Sequence, residues 1–293
     1  MEDRDWLILQ ELYRTKNITK ASQKLYMSQP ALTARLQNIE TEFDVKVVTR
    51  STKGIKFTQE GEFLVKKAEE MLQQLHAIKD RVQSMTDKIG GTIDIGASNY
   101  LTLHTLPKLL EKFQDLHPDV HYTVATDWSK AISQSVHQQK YHVGFVSVDY
   151  GYSQKLKLYA EPICVACREP IKLEDLPKMP RIDYQSDPLL RAQIEEWWGQ
   201  HFEEPSHVIM HVERLESCKH MVKHGLGYSI IPFQMIADED DVHAIILHDN
   251  KGKPLQRTSW LLYNDETASI PSVKTFIEFI KKYPFFEVKG QDK

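Results

Sequence analysis

Eight apolar residues, Leu64, Ala68, Met71, Leu75, Ile78, Val82, Met85 and Ile89, follow one another at gaps that alternate between four and three. That alternation averages 3.5 residues, the period that keeps one apolar stripe facing a partner helix along a two-stranded coiled coil. Lys66, Lys67, Glu69, Glu70, Lys79, Asp80 and Arg81 occupy the other faces. The pattern predicts a long dimerising linker helix over residues 59–89. An amphipathic helix packed on its own domain is the competing reading, disfavoured by the strict period and the charged flanks. Gly90-Gly91 ends the helix and marks a boundary. The sequence on its two sides differs in kind.

A chain of 293 residues has room for about two domains of ~100–200 residues each. With 41% hydrophobic and 27% charged residues it carries the composition of a soluble globular protein with sizeable cores. No apolar run approaches the ~18 residues that cross a membrane, and the charged start Met1–Trp6 has no secretory h-region. Cys164, Cys167 and Cys218 are too few for a disulfide framework, which predicts a reduced, cytoplasmic protein without membrane attachment. The formal net charge is −4. It is unevenly placed: 15 Lys and Arg stand against 13 Asp and Glu up to residue 89, and 22 against 28 afterwards. A mildly basic front suits contact with a polyanion but does not establish it.

The front reads as helices. Trp6, Leu9, Leu12 and Tyr13 recur at helical spacing, and Thr19 is placed to cap a second short helix carrying Ala21 and Leu25. After a break at Tyr26-Met27-Ser28, a third helix begins with Pro30 in its first turn, where a missing N–H costs nothing. Leu32, Leu36 and Ile39 form its inner stripe. Val45, Val47 and Val48, then Ile55 and Phe57, read as two short strands around the basic turn 49–54, the form of a β-wing. Behind Gly90-Gly91, strands and helices alternate: strand 92–97, helix 101–117, strand 120–126, helix 129–140 and strand 142–148. Strand 163–167, helix 189–202, strand 208–212, helix 216–224, strand 225–231, strand 260–263 and helix 273–282 follow. Such alternation predicts parallel sheets in two α/β lobes.

The run Ala21-Ser22-x-x-Leu25-x-x-Ser28-Gln29-Pro30-Ala31-Leu32-Thr33-x-x-Leu36-x-x-Ile39-Glu40 resembles the LysR-type transcriptional regulators. So do Val45-Lys46-Val47-Val48-x-Arg50 and Phe57-Thr58-x-x-Gly61. In the rear half, Ile93-Asp94-Ile95-Gly96, Phe113-x-x-x-His117-Pro118-x-Val120 and the stretch Val222-x-x-Gly225 through Pro232 are similar to the family's effector domain. The likeness covers nearly the whole chain. Ser22 stands where the family usually has Ala, Phe43-Asp44 where it has Leu-Gly, and Val47-Val48 where it has Leu-Phe. All three are packing or turn positions.

The resemblance implies an α+α/β protein. It would comprise an N-terminal winged helix-turn-helix (residues 1–58), a coiled-coil linker helix (59–89) and a C-terminal, two-lobed, periplasmic-binding-protein-like effector domain (90–293). Lobe I would take about 90–161 and 266–293, and lobe II about 162–265. The function implied is sequence-specific regulation of transcription under control of a small-molecule effector, without enzymatic activity or cofactor. Partners would be double-stranded DNA with a pseudo-palindromic operator, the effector, and a second copy of the chain. The family's habit extends this to a homotetramer, and RNA polymerase stays open as a further partner.

Residue chemistry supports specific roles. At the start of the third helix Ser28 can cap and donate to phosphate, aided by the helix dipole. Gln29 can pair bidentately with adenine. Pro30, Ala31 and Thr33 offer methyl and methylene contacts to thymine, and Arg35 can reach phosphate or guanine. Arg50, Thr52 and Lys53 in the wing are placed for the minor groove or its backbone. In open parallel sheets, ligands sit beyond the carboxyl ends of strands. That rule selects Ser98, Asn99, Tyr100, Thr126, Asp127 and Ser147 in the first lobe, beside Trp128, and Asp183, Gln185 and Glu213 in the second, beside Tyr184. Simple helix capping is the plainer role for Ser98 and Thr126. Asp127 and Glu213 argue against assuming an acidic effector. A redox or metal sensor built from Cys164, Cys167 and Cys218 or from His220 and His224 is the alternative. Residues i and i+3 of a strand face opposite sides, and no further ligand set is evident. No dinucleotide, phosphate-loop or nucleophile-elbow motif is present.

Overall fold

The computed structural model of the chain describes residues 1–51, 54–83 and 89–285. It separates into two compact units, Met1–Asp87 and Lys88–Lys293.

In the first unit, α1 (Asp3–Thr15), α2 (Ile18–Lys24) and α3 (Gln29–Phe43) precede a hairpin of β1 (Val48–Ser51) and β2 (Gly54–Phe57), and α4 (Gln59–Gln83) closes it. Asn17, rather than Thr19, caps α2, its side chain accepting from the Lys20 amide at 3.0 Å. Ser28 caps α3 as expected, with Oγ accepting from the Ala31 amide at 3.3 Å. Ile8, Leu9, Leu12, Leu32, Leu36 and Ile39 make the shared core. β1 begins at Val48 rather than Val45. The Val47 amide donates instead to the Glu40 carboxylate at 2.9 Å, and the Val47 side chain joins the core. Glu40 also accepts from Lys46 Nζ at 2.9 Å, tying the end of α3 to the root of the wing.

The long stripe divides where the sequence reads it as one seam. Leu64 and Ala68 are buried in the core of the first unit together with Val65, and α4 packs along α1. Met71 and Ile78 stay 45% and 60% exposed. Ile89 packs instead on the core of the second unit. Met85 lies outside the described residues. An own-domain face thus takes the first turns of the helix, because α1 offers apolar surface there.

In the second unit the chain runs β3 (Gly91–Ala97), α5 (Asn99–His104), α6 (Leu106–Leu116), β4 (Val120–Thr126), α7 (Ser129–His137), β5 (Val143–Val146) and β6 (Lys155–Cys167). It continues through β7 (Arg181–Tyr184), α8 (Pro188–His201), β8 (Val208–Val212), α9 (Leu215–Lys223), β9 (Ser229–Pro232), β10 (His243–Ile246), β11 (Gln256–Tyr263), α10 (Asp265–Ala268) and α11 (Pro271–Lys282). The predicted helix 101–117 is two helices that meet at Thr105. Pro107 sits in the first turn of α6, where its ring disfavours continuation from α5.

The first lobe is the sheet β4-β3-β5-β11, with β3 parallel to both neighbours. Phe113, Phe145 and Phe276 pack in its core. In the second lobe β6 carries β9 and β10 on its two edges, and β7 pairs β8 in parallel. The lobes share two long strands. β6 and β11 run antiparallel from one lobe into the other, with a register shift at Ser259/Trp260. The sequence shows only their apolar ends, 163–167 and 260–263. The remaining stretch of β6 before Ile163 interleaves Lys155, Lys157, Glu161 and Pro162, which masks a strand.

Gly61 explains why the wing can meet α4 so closely. A Cβ there would lie 2.1 Å from the Val47 carbonyl oxygen, a backbone atom already accepting from the Thr58 amide at 3.1 Å. Gly61→Ala is therefore expected to destabilise the first unit by about 1–3 kcal/mol, despite alanine's better helix propensity. Thermal unfolding checks this, and an unchanged or raised melting temperature would refute the packing argument.

Candidate functional site

Two surfaces, one in each unit, combine functional side chains. In the first unit, Ser28, Gln29, Pro30 and Ala31 are all exposed at the N-terminus of α3, and Thr33 is half-exposed one turn on. Their backbone is fixed by the Ser28 cap and by the buried stripe of α3, so an exposed polar edge is presented on a rigid element. Gln29 is steadied by Thr19, whose hydroxyl donates to Oε1 at 3.4 Å. Tyr26, missed by sequence reasoning, is 96% exposed beside this edge with a left-handed φ of 52°. A bulky residue in that conformation is uncommon, and only the backbone reveals it.

Arg35 does not join that edge. It turns toward α1, where Nη2 donates to Glu2 at 2.7 Å and Nη1 to Asp5 at 3.4 Å. The hydrogen bond to Glu2, with the charges of Asp5 and Glu2, raises the guanidinium pKa further. Arg35 thus clamps α3 to α1, which sequence could not show because its partners lie thirty residues away. Arg50 lies in β1, while Thr52 and Lys53 fall outside the described residues.

In the second unit, a cleft of 340 Å³ opens between the lobes at the carboxyl ends of the strands. Ser98, Asn99, Tyr100, Thr126, Asp127 and Ser147 line it from the first lobe, and Gln185 and Glu213 from the second. Asp183 is not among them. Neighbouring strand residues face opposite ways, so Tyr184 meets the cleft while Asp183 pairs with Arg181 at 2.9 Å. Asp183 lines a second cavity, of 490 Å³, which Tyr184 also borders.

Ser98 stands before α5 but makes no side-chain cap. Its hydroxyl lies 2.9 Å from that of Ser147, joining the ends of β3 and β5 across the cleft floor. Thr126 lies 3.4 Å from Thr102, and Ser129 accepts from the Ser147 amide at 3.4 Å. The starts of α7 and α9 border the same space with free backbone N–H groups, whereas α8 opens with Pro188, which has none, and its Leu189 amide is taken by Asp187. Asp187 caps α8 and also accepts from Tyr150 across the lobes at 2.7 Å.

Below lies a buried ionic group that sequence reasoning missed. Arg257 of β11 and Glu161 of β6 face each other in register on the two crossover strands, with Nη2 to Oε1 at 2.6 Å. Tyr100 donates to the other Glu161 oxygen at 2.9 Å, and the guanidinium stacks 3.9 Å from the Tyr100 ring centre. Burial opposes the guanidinium's charge, but Glu161 outweighs it and holds Arg257 protonated. Burial, joined by the Glu161 charge, raises the Tyr100 phenol. The only sequence signal was a pair of opposite charges in two stretches of mixed polarity, invisible until both strands are known to pair.

Cys164 and Cys167 belong to different core clusters on opposite faces of β6. All three thiols are free and buried. Burial raises the Cys164 thiol and pushes Cys218 up to about 11, so neither is a ready thiolate. His220 and His224 are exposed, and no group of three metal-ligating side chains exists among the described residues. No described helix is long and apolar enough to cross a membrane.

Comparison with known proteins gives two family matches, one in each unit. Residues 4–62 match the bacterial regulatory helix-turn-helix protein, lysR family, and residues 86–284 the LysR substrate binding domain. The HTH-type transcriptional regulator YraN of Bacillus subtilis is 36% identical over 282 residues, covering 96% of this chain and 98% of the relative. YkuM of the same organism, also an HTH-type transcriptional regulator, is 30% identical over 268 residues, covering 90% and 92%. Among solved structures, full-length CbnR complexed with its target DNA aligns with a TM-score of 0.68 at 18% identity, covering 96% of this chain and 99% of that one. The full-length virulence activator AphB of Vibrio cholerae aligns with a TM-score of 0.63 at 17% identity, covering 97% and 99%.

The pair under the cleft sets a test of its own. Glu161→Leu leaves a buried cation unpaired and is expected to cost about 3–5 kcal/mol in urea unfolding. Adding Arg257→Met removes that cation and is expected to recover most of the loss. Additive losses in the double variant would mean that the two side chains act separately.

Proposed function

The chain belongs to the LysR family of DNA-binding transcription regulators with an effector-binding domain, and on that premise we propose how its residues divide the work. Ser28, Gln29, Pro30, Ala31 and Thr33 read the operator from the major groove. Arg50, Thr52 and Lys53 secure the wing against the adjacent backbone. Arg35 holds the reading helix to α1. The observation that carries this reading is the exposed polar edge at the start of α3, rigidly capped by Ser28 and backed by a buried stripe. A helix N-terminus so presented meets base edges and phosphates together.

One such helix reads only a few base pairs, so a second copy supplies the other half-site and the operator is a pseudo-palindrome. The exposed apolar residues Phe63, Met71 and Ile78 on α4 supply surface for that pairing. On this reading residues 1–58 bind DNA, 59–89 link and dimerise, and 90–293 sense; the expected return to lobe I at 266 moves back into β11, whose Trp260–Tyr263 end pairs with β5 of the first lobe. The cleft between the lobes takes a small effector. Binding acts by favouring one lobe arrangement over another, and does so only as far as affinity differs between them.

Footprinting of the full-length protein upstream of its own gene, with and without metabolite extract at fixed salt, tests the scheme. A protected pseudo-palindrome whose extent changes with extract is expected. Gln29→Ala should lose ~1–3 kcal/mol on that site and little on random DNA. Equal losses on both would remove Gln29 from base reading, and protection indifferent to every extract would remove the sensing half.

A further inference from the structure

The cleft carries unmet hydrogen-bonding capacity of both signs. Among its lining groups, Tyr184 Oη and Arg257 Nε are buried donors without a hydrogen-bond partner among the described residues. Both side chains are more than nine-tenths buried. Asp187 Oδ2 and both carboxylate oxygens of Glu216 are buried acceptors, likewise unpartnered. A buried polar atom without a partner is destabilising, more so when charged, so such a set marks groups reserved for something else. The cation nearest Glu216 is His104, at 3.9 Å. Burial lowers the His104 pKa, against the pull of Glu216, so it offers little positive charge near neutral pH.

Donors and acceptors call for opposite ends of one ligand. A carboxylate suits Tyr184, Arg257 and the converging helix starts. A second carboxylate would then face Glu216 and Asp187, beside Asp127 and Glu213, with Arg214 as the one further arginine lining the space. An ammonium suits those acids. The volume of 340 Å³ sits at the small end of the ~300–1,000 Å³ common for ligand sites.

We propose that the cleft recognises a small zwitterion of the α-amino-acid type, its carboxylate held by Tyr184, Arg257 and the helix starts and its ammonium by Glu216 and Asp187. This rests on the reading of the cleft as the effector site and names the ligand class that this chain's own residues select. Arg257 serves here as a specificity group because Glu161 and Tyr100 fix its guanidinium from the far side, leaving Nε–H uncommitted.

Calorimetric titration of the full-length protein with each proteinogenic amino acid, its deaminated acid and its decarboxylated amine tests the inference. At least one amino acid is expected to bind about 10-fold or more tighter than either analogue, since a lost charged hydrogen bond is worth about 1.5–3 kcal/mol. Glu216→Gln, which keeps the shape, should weaken that amino acid about 10-fold or more while leaving the deaminated acid unaffected. No heat from any amino acid, tighter binding of a deaminated acid or a dicarboxylate, or indifference to Glu216→Gln would overturn it. Ser98→Ala in the extract footprint separates the two levels. If the variant abolishes the extract response while amino acids fail to bind, only the zwitterion falls. If the response survives Ser98→Ala, the cleft itself is misassigned.

Discussion

The ion pair between Glu161 and Arg257 sits where the second unit must reconcile two demands. Its two lobes are joined by β6 and β11, and these strands pass beneath the cleft. The two cross between the lobes as one hydrogen-bonded antiparallel pair. Placing opposite charges in register on the pair fixes that register, since a slip of either strand by one residue would put the two charges on opposite faces. The charges are dry, and desolvation makes them a poor source of net stability. Tyr100 offsets part of that cost by occupying the second carboxylate oxygen and covering the guanidinium with its ring.

The cleft inherits its geometry from that floor. Tyr100 belongs to α5, so the buried group also positions the first turn after β3, where Ser98 meets Ser147. On the opposite wall, Tyr150 reaches from the first lobe to the Asp187 cap of α8. Tyr150–Asp187 thus ties the first lobe to the second beside the crossover strands.

The first unit solves a different problem by similar means. A reading helix must expose polar groups at one end while being immobile along its length. Three buried residues of α3, the Glu40 contact to the wing root and the Arg35 clamp to α1 all immobilise it without using the exposed edge. The close approach of Val47 to Gly61 locks the wing to the helix that follows.

Sequence alone determined the motif-bearing front, the βαβαβ order behind Gly90-Gly91 and eight of the cleft residues, from Ser98 to Glu213. These are local properties: caps, periods and strand ends are written in neighbouring residues. The length of β6 and β11, the burial of Glu161 against Arg257 and the turn of Arg35 toward Glu2 were decided by tertiary structure. Each depends on a partner far along the chain, and a charged residue in isolation reads as surface. The stripe on α4 shows the same limit from the other side. Its period is plain in the sequence, but whether Leu64 and Ala68 meet a second copy or their own α1 depends on which apolar surface is nearer, and only the folded unit settles that.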